Sequence, residues 1–377
     1  MDEEKLNKFY NYDINSFRVG DEDLTTTPLQ DAFFGTDFVL LKDNDANEVY
    51  PPATAIASNL LQLFQNENLV NLEEFGVQLL PITGGKSGTT IQSLSKGTQP
   101  YNDFILAITK AKEFADKSGK DISVRSIMIN QGEANISTDK TVYKDLLKTL
   151  MIDFNTDIKL ITGQDFDIEF VIAQTSGWIG RTIGGNVQTD NDIQEAQVEV
   201  CDEVSNANLA GAMYQFRYID EFHPTNRYYV SIQPSVAMKR ICYDNSTWND
   251  FKPVSHNVIF DGVNYWTHLK FNIQEKPIRF DVTGRETHNP RGKQTNYGVE
   301  LLSSGVEKQT GEPKIGKPDT IVLKSSENPA GMTIRYAVNG HAGGGNICDS
   351  QNISLKNKGS EFIVDNFAVS FSEYVIN

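Results

Sequence analysis

Residues Val124-Arg-Ser-Ile-Met-Ile129, followed by Asn130-Gln-Gly-Glu-Ala-Asn135, decide the fold class of this chain. The apolar run places Ile127 and Ile129 on one side, which is typical of a strand, and the polar stretch after it predicts a loop. Apolar residues then recur at helical spacing from Thr141 to Phe154. A strand, a polar loop and a helix in this order indicate one unit of an α/β fold.

The segments on either side of this unit repeat the alternation. Val77–Ile82 and Glu169–Ala173 have the short apolar pattern of strands, whereas Tyr101–Ser118 and Ile193–Asn206 have helical patterns. Strands that alternate with helices predict right-handed crossovers and a parallel sheet covered on both faces. In such sheets the functional loops gather at the carboxyl ends of the strands.

The pattern changes after about Asp250. The segments become short, rich in β-branched and aromatic residues, and separated by glycine, asparagine and proline. This composition predicts an antiparallel β-sandwich. We therefore expect two domains, an α/β domain over residues 1–248 and a β-sandwich over residues 249–377.

Composition limits the possible functions. The net charge of −16 argues against a nucleic-acid partner, because phosphate binding requires positive charge. No apolar run approaches the roughly 20 residues of a membrane helix, so no membrane insertion is expected. Met1–Tyr10 lacks the apolar region of a secretory signal. The three cysteines have no metal-like spacing, so neither a metal site nor a disulfide framework is expected.

Four segments stand where a strand should run into a loop, and each could contribute to a site. They are Ile14–Gly20, Gly84–Gly88, Asn130–Asn135 and Asp220–His223. The last one places a carboxylate and an imidazole three residues apart, and His223 is the only one of five histidines with such a neighbour. A hydrolytic triad needs a base and a group that orients the base.

These four blocks resemble the SGNH hydrolase superfamily, in particular its sialate O-acetylesterase and acetylxylan esterase-like branch. That branch carries Gly-Gln-Ser, Gly-Gly, Gln-Gly-Glu and Asp-x-x-His blocks in this order. The sequence has Ser16, Gly84-Gly85, Gln131-Gly132-Glu133 and Asp220-x-x-His223. The sequence resembles phage-type members of this branch. The resemblance continues into the β-rich tail, so it covers nearly the whole chain.

The resemblance implies a three-layer α/β/α (flavodoxin-like) first domain, a jelly-roll-like second domain and a serine esterase mechanism. Ser16 would be the nucleophile, His223 its base, and Asp220 the group that orients His223. Oxyanion donors would be the backbone N–H groups of Ser16 and Gly85 and the side-chain amide of Gln131. Glu133 would hold the loop and Asn135 would assist. No metal and no cofactor are implied.

Several alternatives stay open at this point. Ile14 and Asn15 stand where the family has glycine and glutamine, and Ser87 competes with Ser16 as the nucleophile. Each block also has an ordinary structural interpretation, as a turn, a loop or a helix cap. One hypothesis is a carbohydrate O-deacetylase that acts on an acetylated glycan. The other is an inactive decoration or receptor-binding protein of a virus particle.

The two hypotheses imply different partners. Virion proteins would be partners of the second, and a homo-oligomer is possible for both. We expect the protein on a phage particle or outside the cell. A cytoplasmic bacterial deacetylase is the weaker interpretation, because the polymeric substrates of the family lie outside the cell.

Overall fold

The structure, a computed structural model, describes residues 12–14, 38–40, 52–86, 88–216, 224, 227–282, 292–339, 344–357 and 360–377. The chain divides into two compact units that interleave in sequence. The first comprises Met1–Asn135, Asp145–Val171 and Asn226–Ser246, and the second comprises Ile136–Lys144, Ile172–Thr225 and Thr247–Asn377. The predicted domain boundary between residues 248 and 249 stays a prediction.

The described α-helices concentrate in the first two thirds of the chain, as the periodicity predicted. They are α1 (Pro52–Leu63), α2 (Ile91–Leu94), α3 (Gln99–Lys117), α4 (Lys140–Thr162), α5 (Asp192–Glu203), α6 (Arg227–Val230) and α7 (Ile232–Cys242). A π-helical turn, Phe64–Asn68, follows α1, and short 3₁₀ turns include Glu133–Asn135 and Met213–Gln215. None of the described helices is both long enough and apolar enough to cross a membrane.

Strands occur throughout the described chain. Those before residue 250 are β1 (Tyr12–Ile14), β2 (Phe38–Leu40), β3 (Ser126–Ile129), β4 (Glu169–Gln174), β5 (Thr182–Ile183), β6 (Asn186–Val187) and β7 (Ala207–Ala212). Those after it are β8 (Pro253–Phe260), β9 (Tyr265–Phe271), β10 (Arg279–Phe280), β11 (Val299–Ser303), β12 (Val306–Glu307), β13 (Lys314–Lys317), β14 (Thr320–Ser325), β15 (Thr333–Tyr336), β16 (Ile347–Cys348), β17 (Ile353–Asn357), β18 (Ser360–Val364) and β19 (Phe371–Val375).

Helix α3 shows why the sequence forms these elements. Pro100 lies in its first turn, where the missing N–H costs nothing, and Gly119 follows its end with a φ of 64°. Its inward stripe includes Tyr101 and Phe104. Both rings pack on Phe154 of α4, with centroid distances of 4.9 and 5.2 Å. The helix predicted over Tyr101–Ser118 is confirmed.

The predicted parallel sheet is also confirmed. Strands β3, β4 and β7 form it in that order. Five consecutive residues of β4, Phe170–Gln174, are buried, as expected for a strand covered on both faces. The three-layer arrangement stays a prediction.

The strand predicted over Val77–Ile82 is wrong. Only Leu79 forms a β-bridge, and the residues beside it are irregular. Pro81 has no N–H to donate to a ladder. Leu80 and Ile82 pack instead against the buried side chains of Ala111 and Phe114 on α3. The apolar run therefore covers a helix rather than joining the sheet.

The β-rich region forms two four-stranded antiparallel sheets, as its pattern predicted. One has the order β13–β14–β9–β8 and the other the order β12–β11–β15–β19. Both contribute to one buried core, for example Leu269 and Leu323 from the first sheet and Leu301 and Ile334 from the second. A jelly-roll arrangement of these strands stays a prediction.

Candidate active site

Four of the seven predicted site residues lie within the described chain: Gly85, Gln131, Glu133 and Asn135. The predicted triad Ser16, Asp220 and His223, and the competing Ser87, lie outside the described residues. Strand β1, which ends two residues before Ser16, pairs antiparallel with β2 through Ile14 and Phe38. The described site residues therefore all belong to the predicted oxyanion side of the site.

The Gln-Gly-Glu block follows the carboxyl end of β3, as the sequence predicted. Gln131 is buried, and Gly132 has a φ of 154°, a conformation that L side chains rarely adopt. The chain then makes the 3₁₀ turn Glu133–Asn135, in which the N–H of Asn135 donates to the carbonyl oxygen of Gly132 at 2.9 Å. Half-buried Glu133 begins the turn. This backbone brings the side chains of Gln131 and Asn135 together.

Asn135 is the centre of a buried amide network. Its Oδ1 accepts the N–H of Ile91 at 2.8 Å and the Nε2–H of Gln131 at 2.6 Å. Its Nδ2 donates to Oε1 of Gln92 at 3.0 Å. The Asn135 side chain is only 2% exposed, so replacing these bonds with water would require opening the loop. The Gln-Gly-Glu loop is thereby joined to the first turn of α2, more than 40 residues away in sequence.

Gln131 is directed into the same network. Its Nε2 donates to Asn135 Oδ1 and, at 3.3 Å, to the carbonyl oxygen of Thr89. A primary amide has two N–H donors, so both are directed at protein acceptors. An oxyanion role for Gln131 would require the longer bond, to Thr89, to be exchanged for one to the substrate.

The two adjacent glycines have different surroundings. A Cβ at Gly84 would collide with the ring of Phe104, whereas a Cβ at exposed Gly85 would meet nothing within 4 Å. Position 84 therefore requires glycine, because the Phe104 side chain of α3 packs directly against its backbone. The space around Gly85 leaves its backbone open to an incoming group, and its oxyanion role stays a prediction.

An ion pair holds the segment that follows the carboxyl end of α2. Lys96 Nζ lies 2.7 Å from Oδ1 of Asp157, and the Tyr101 hydroxyl donates to Oδ2 of Asp157 at 2.8 Å. Burial acts to raise the pKa of Asp157, but the hydrogen bonds from Lys96 and Tyr101 outweigh it and hold that pKa below its ordinary value. The carboxylate therefore stays charged and ties the residues after α2 to α4.

One positioning residue, Gln92, was not among the predicted site residues, although it completes the Asn135 network. Gly84 belongs to the predicted Gly-Gly block, but its packing against Phe104 was not predicted. Both contacts form only when the chain folds, so local sequence does not reveal them. Among the described residues, no group of three or more His, Cys, Asp or Glu side chains could hold a metal ion.

Comparison with known proteins bears on the class of this site. Residues 52–225 match the family model described as "Carbohydrate esterase, sialic acid-specific acetylesterase". The matched range includes all the predicted site residues except Ser16. No curated protein matches the chain.

A solved structure is similar in fold. The crystal structure of a carbohydrate acetylesterase from Xanthomonas citri matches with a TM-score of 0.53 and 16% sequence identity. The match covers 78% of this chain and 62% of that protein, so the chain spans less than two thirds of its relative's length. At this identity the likeness concerns the fold alone. The family model supports the resemblance to the carbohydrate esterases that the four blocks indicated, and the solved structure supports the fold.

Proposed function

We propose that this protein is a carbohydrate O-acetylesterase that removes acetyl groups from a glycan. One observation carries the proposal: the Asn135 network joins the Gln-Gly-Glu block at the end of β3 to Ile91 and Gln92, which follow the Gly-Gly block, within the range that matches a carbohydrate esterase family. An oxyanion site needs preorganised donors, and this network holds the side-chain amide of Gln131, one of the three predicted donors.

The proposed mechanism is acyl transfer through serine. Ser16 Oγ attacks the acetyl carbonyl carbon while His223 takes the hydroxyl proton, and Asp220 orients the imidazole. The bond between that carbon and the sugar oxygen then breaks, and the sugar oxygen receives the proton from His223. Water, deprotonated by His223, attacks the acyl-serine and releases acetate. The step uses no oxidant, reductant or cofactor.

The charge that develops on the carbonyl oxygen would be stabilised by three donors. These are the backbone N–H groups of Ser16 and Gly85 and one N–H of Gln131, released from Thr89. Asn135 keeps the second Gln131 N–H and so holds the amide in place. Glu133 would hold the turn that joins Gln131 to Asn135.

The test compares hydrolysis of p-nitrophenyl acetate and of an O-acetylated sugar by the purified wild type and three variants. Ser16→Ala and His223→Ala should each lower kcat at least about 1,000-fold, because nucleophile and base act as a unit. Ser87→Ala is the matched control and should retain activity. If wild type, Ser16→Ala and His223→Ala release acetate equally slowly, the protein is not this enzyme; if only Ser87→Ala is inactive, the nucleophile assignment is wrong.

A second candidate function is a non-catalytic glycan-binding or decoration protein of a phage particle. The observation that favours it is the nucleophile block, where Ile14 and Asn15 replace the glycine and glutamine of the family. A branched side chain beside the nucleophile turn can alter the path of the loop. Mass spectrometry of purified virions tests the particle association, and absence of the protein from every particle would reject it.

A further inference from the structure

The sheet β13–β14–β9–β8 has one face that the core does not use. Its inward residues, among them Leu269, Phe271, Ile321 and Leu323, are fully buried. Side chains alternate along a strand, so the intervening residues point away from the core. We call these residues the outer sheet face: Ser255, Asn257, Ile259, Trp266, His268, Lys270, Lys314, Lys317, Val322 and Lys324.

The outer sheet face is cationic although the chain is strongly acidic. Four of its positions are lysines and none is aspartate or glutamate, whereas the whole chain carries 50 acidic residues against 34 basic ones. Lys270, Lys314 and Lys317 are exposed, and Lys324 is half-buried. A group of cations on one face raises the local potential and attracts anions.

These four lysines also lack ion-pair partners within the described part of the chain. Lysines just beyond the face do pair: Lys276 lies 2.7 Å from Asp319, and Lys308 lies 2.9 Å from Glu327. Asp319 and Glu327 at the edges of the face are thus paired with lysines outside it. Asp261 lies near Lys324 and Asp319 also attracts Lys270, but no described carboxylate lies within ion-pair distance of the four ammonium groups.

Trp266 lies on the same face, opposite Lys324, in a set orientation. Its Nε1–H donates to Oδ2 of Asp261 at 2.7 Å, and Oδ1 of Asp261 accepts the N–H groups of Val263 and Asn264. The hydrogen bonds from Asn264, Trp266 and Val263 lower the pKa of Asp261 to about 2, so the carboxylate remains charged. The indole is therefore held at the end of the hairpin rather than rotating freely.

The neighbours of Trp266 make a mixed apolar and cationic surface. Ile259 lies opposite it on β8 and is 47% exposed, and Lys324 lies opposite it on β14. Lys324 Nζ is 5.6 Å from the ring centroid. On the same face, a Cβ at Gly316 would lie 2.6 Å from a methyl group of Val322. Glycine at this position therefore avoids a steric clash with Val322.

A sugar that carries a carboxylate fits this combination. The C–H groups of a pyranose ring are weakly positive and pack on the negative face of an aromatic ring, while ammonium groups pair with the carboxylate. Nucleic acid fits less well, because its dense charge would be repelled by a molecule with a net charge of −16. The charges of an acidic glycan are more widely spaced.

We propose that the outer sheet face binds an acidic polysaccharide through Trp266 and the lysines Lys270, Lys314, Lys317 and Lys324. The inference goes beyond the proposed esterase function and does not depend on it, because binding at this face needs no triad. Such a surface would hold a polymer on the protein whether or not its acetyl groups are removed.

Binding of the full chain to two acidic probes, oligogalacturonate and a sialic acid homopolymer, tests the proposal. Matched controls are methyl-esterified oligogalacturonate, which removes the charge, and polyglutamate, which removes the sugar. We expect binding to at least one acidic probe, weaker at high salt, and at least tenfold weaker binding to both controls.

Substitutions on and away from the outer sheet face test whether the acidic probes bind there. Lys314→Glu/Lys317→Glu should weaken binding at least tenfold, whereas Lys117→Glu/Lys120→Glu, with the same change in net charge on exposed residues of the other unit, should stay within twofold. Trp266→Ala should also weaken binding at least tenfold, with its unfolding transition measured to check the fold. Hydrolysis of p-nitrophenyl acetate should be unchanged in all of them.

Four results would overturn the proposal: no binding to either acidic probe, equal binding to a control polymer, equal losses in the two double variants, or tighter binding to single-stranded DNA. Because the assay needs no hydrolysis, an inactive but binding protein would reject the esterase alone. An active protein that binds neither probe would reject the outer sheet face alone.

Discussion

Gly84 and Gly85 are adjacent in sequence, but the structure assigns them different requirements. The ring of Phe104 fills the space that a Cβ on residue 84 would occupy, and open space surrounds residue 85. Neither glycine has a positive φ, so packing rather than backbone strain distinguishes them.

We therefore expect Gly84→Ala to lower the free energy of unfolding by about 1–3 kcal/mol, the usual cost of overpacking. Gly85→Ala should change it by less than about 0.5 kcal/mol, as at most exposed positions. If the N–H of residue 85 contacts the oxyanion, Gly85→Ala should instead lower kcat/KM for acetyl ester hydrolysis. Urea unfolding and steady-state kinetics on both variants check this, and equal destabilisation would contradict it.

Asn135 is the residue on which the described part of the site depends. Asn135→Ala leaves the N–H of Ile91 and one N–H of Gln131 without their acceptor, which should cost about 1–3 kcal/mol of stability. It should also lower kcat at least tenfold, because Gln131 loses its orientation. Asn135→Asp keeps an acceptor for both donors but places a carboxylate in the buried site and loses the bond to Gln92, so it should recover only part of the stability. A fully active Asn135→Ala would show that the network does not position the site.

At the scale of elements, β7 is held by the segment just before β8. The indole N–H of Trp248 donates to the carbonyl oxygen of Leu209 at 2.9 Å, and Asp250 accepts the N–H of Leu209 at the same distance. Burial raises the pKa of Asp250 to about 6. The strand therefore depends on a carboxyl group that titrates in an accessible pH range.

This pKa predicts how stability changes with pH. Between about pH 4 and 6 the folded protein keeps the Asp250 proton while the unfolded chain, with a pKa of about 4, releases it. The free energy of unfolding should thus fall as pH rises through this window, by at most about 3 kcal/mol. Asp250→Asn should remove this contribution, which urea unfolding from about pH 4 to 7 measures. Parallel pH profiles of wild type and variant would contradict the assignment.

At the scale of the molecule, parts of both predicted domains share one compact unit. Gln174 in β4 accepts the N–H of Ser370 at 2.7 Å and donates to its carbonyl oxygen at 2.8 Å. Tyr214 is fully buried, lies 2.8 Å from the Tyr336 hydroxyl and donates to the carbonyl oxygen of Ala368 at 2.6 Å. Residues on both sides of the predicted boundary therefore complete each other's hydrogen bonds.

A fragment of residues 1–248 should consequently fail to fold on its own. It would expose Tyr214 and leave the amide of Gln174 without its partners, each an expensive loss in a buried site. We expect poor solubility and no cooperative thermal transition, whereas the full chain should show one. Circular dichroism and gel filtration of the two proteins check this. A soluble monomeric fragment with a sharp transition would instead support an autonomous domain that ends at residue 248.

Elements with strong periodicity were predictable from the sequence, whereas β7 was not. The helix over Gln99–Lys117 and the strand Glu169–Gln174 have enough inward apolar residues to be recognised. Strand β7, Ala-Asn-Leu-Ala-Gly-Ala, is built from residues with weak strand preference, so its neighbours in the sheet decide its conformation. For Val77–Ile82 a strand was predicted that does not form. A short apolar run does not show whether its side chains will pack within a sheet or against a helix.

The sequence by itself determined the alternation of strands and helices, the antiparallel character of the second half, and the Gly-Gly and Gln-Gly-Glu blocks, because these depend on local periodicity and residue type. Only the tertiary structure decided that Asn135 would cap Ile91, that Phe104 would exclude a side chain from residue 84, and that lysines of three strands would share one outward face. Each of these contacts joins residues that are far apart along the chain. Local sequence cannot predict them, because it does not determine which distant side chains pack together.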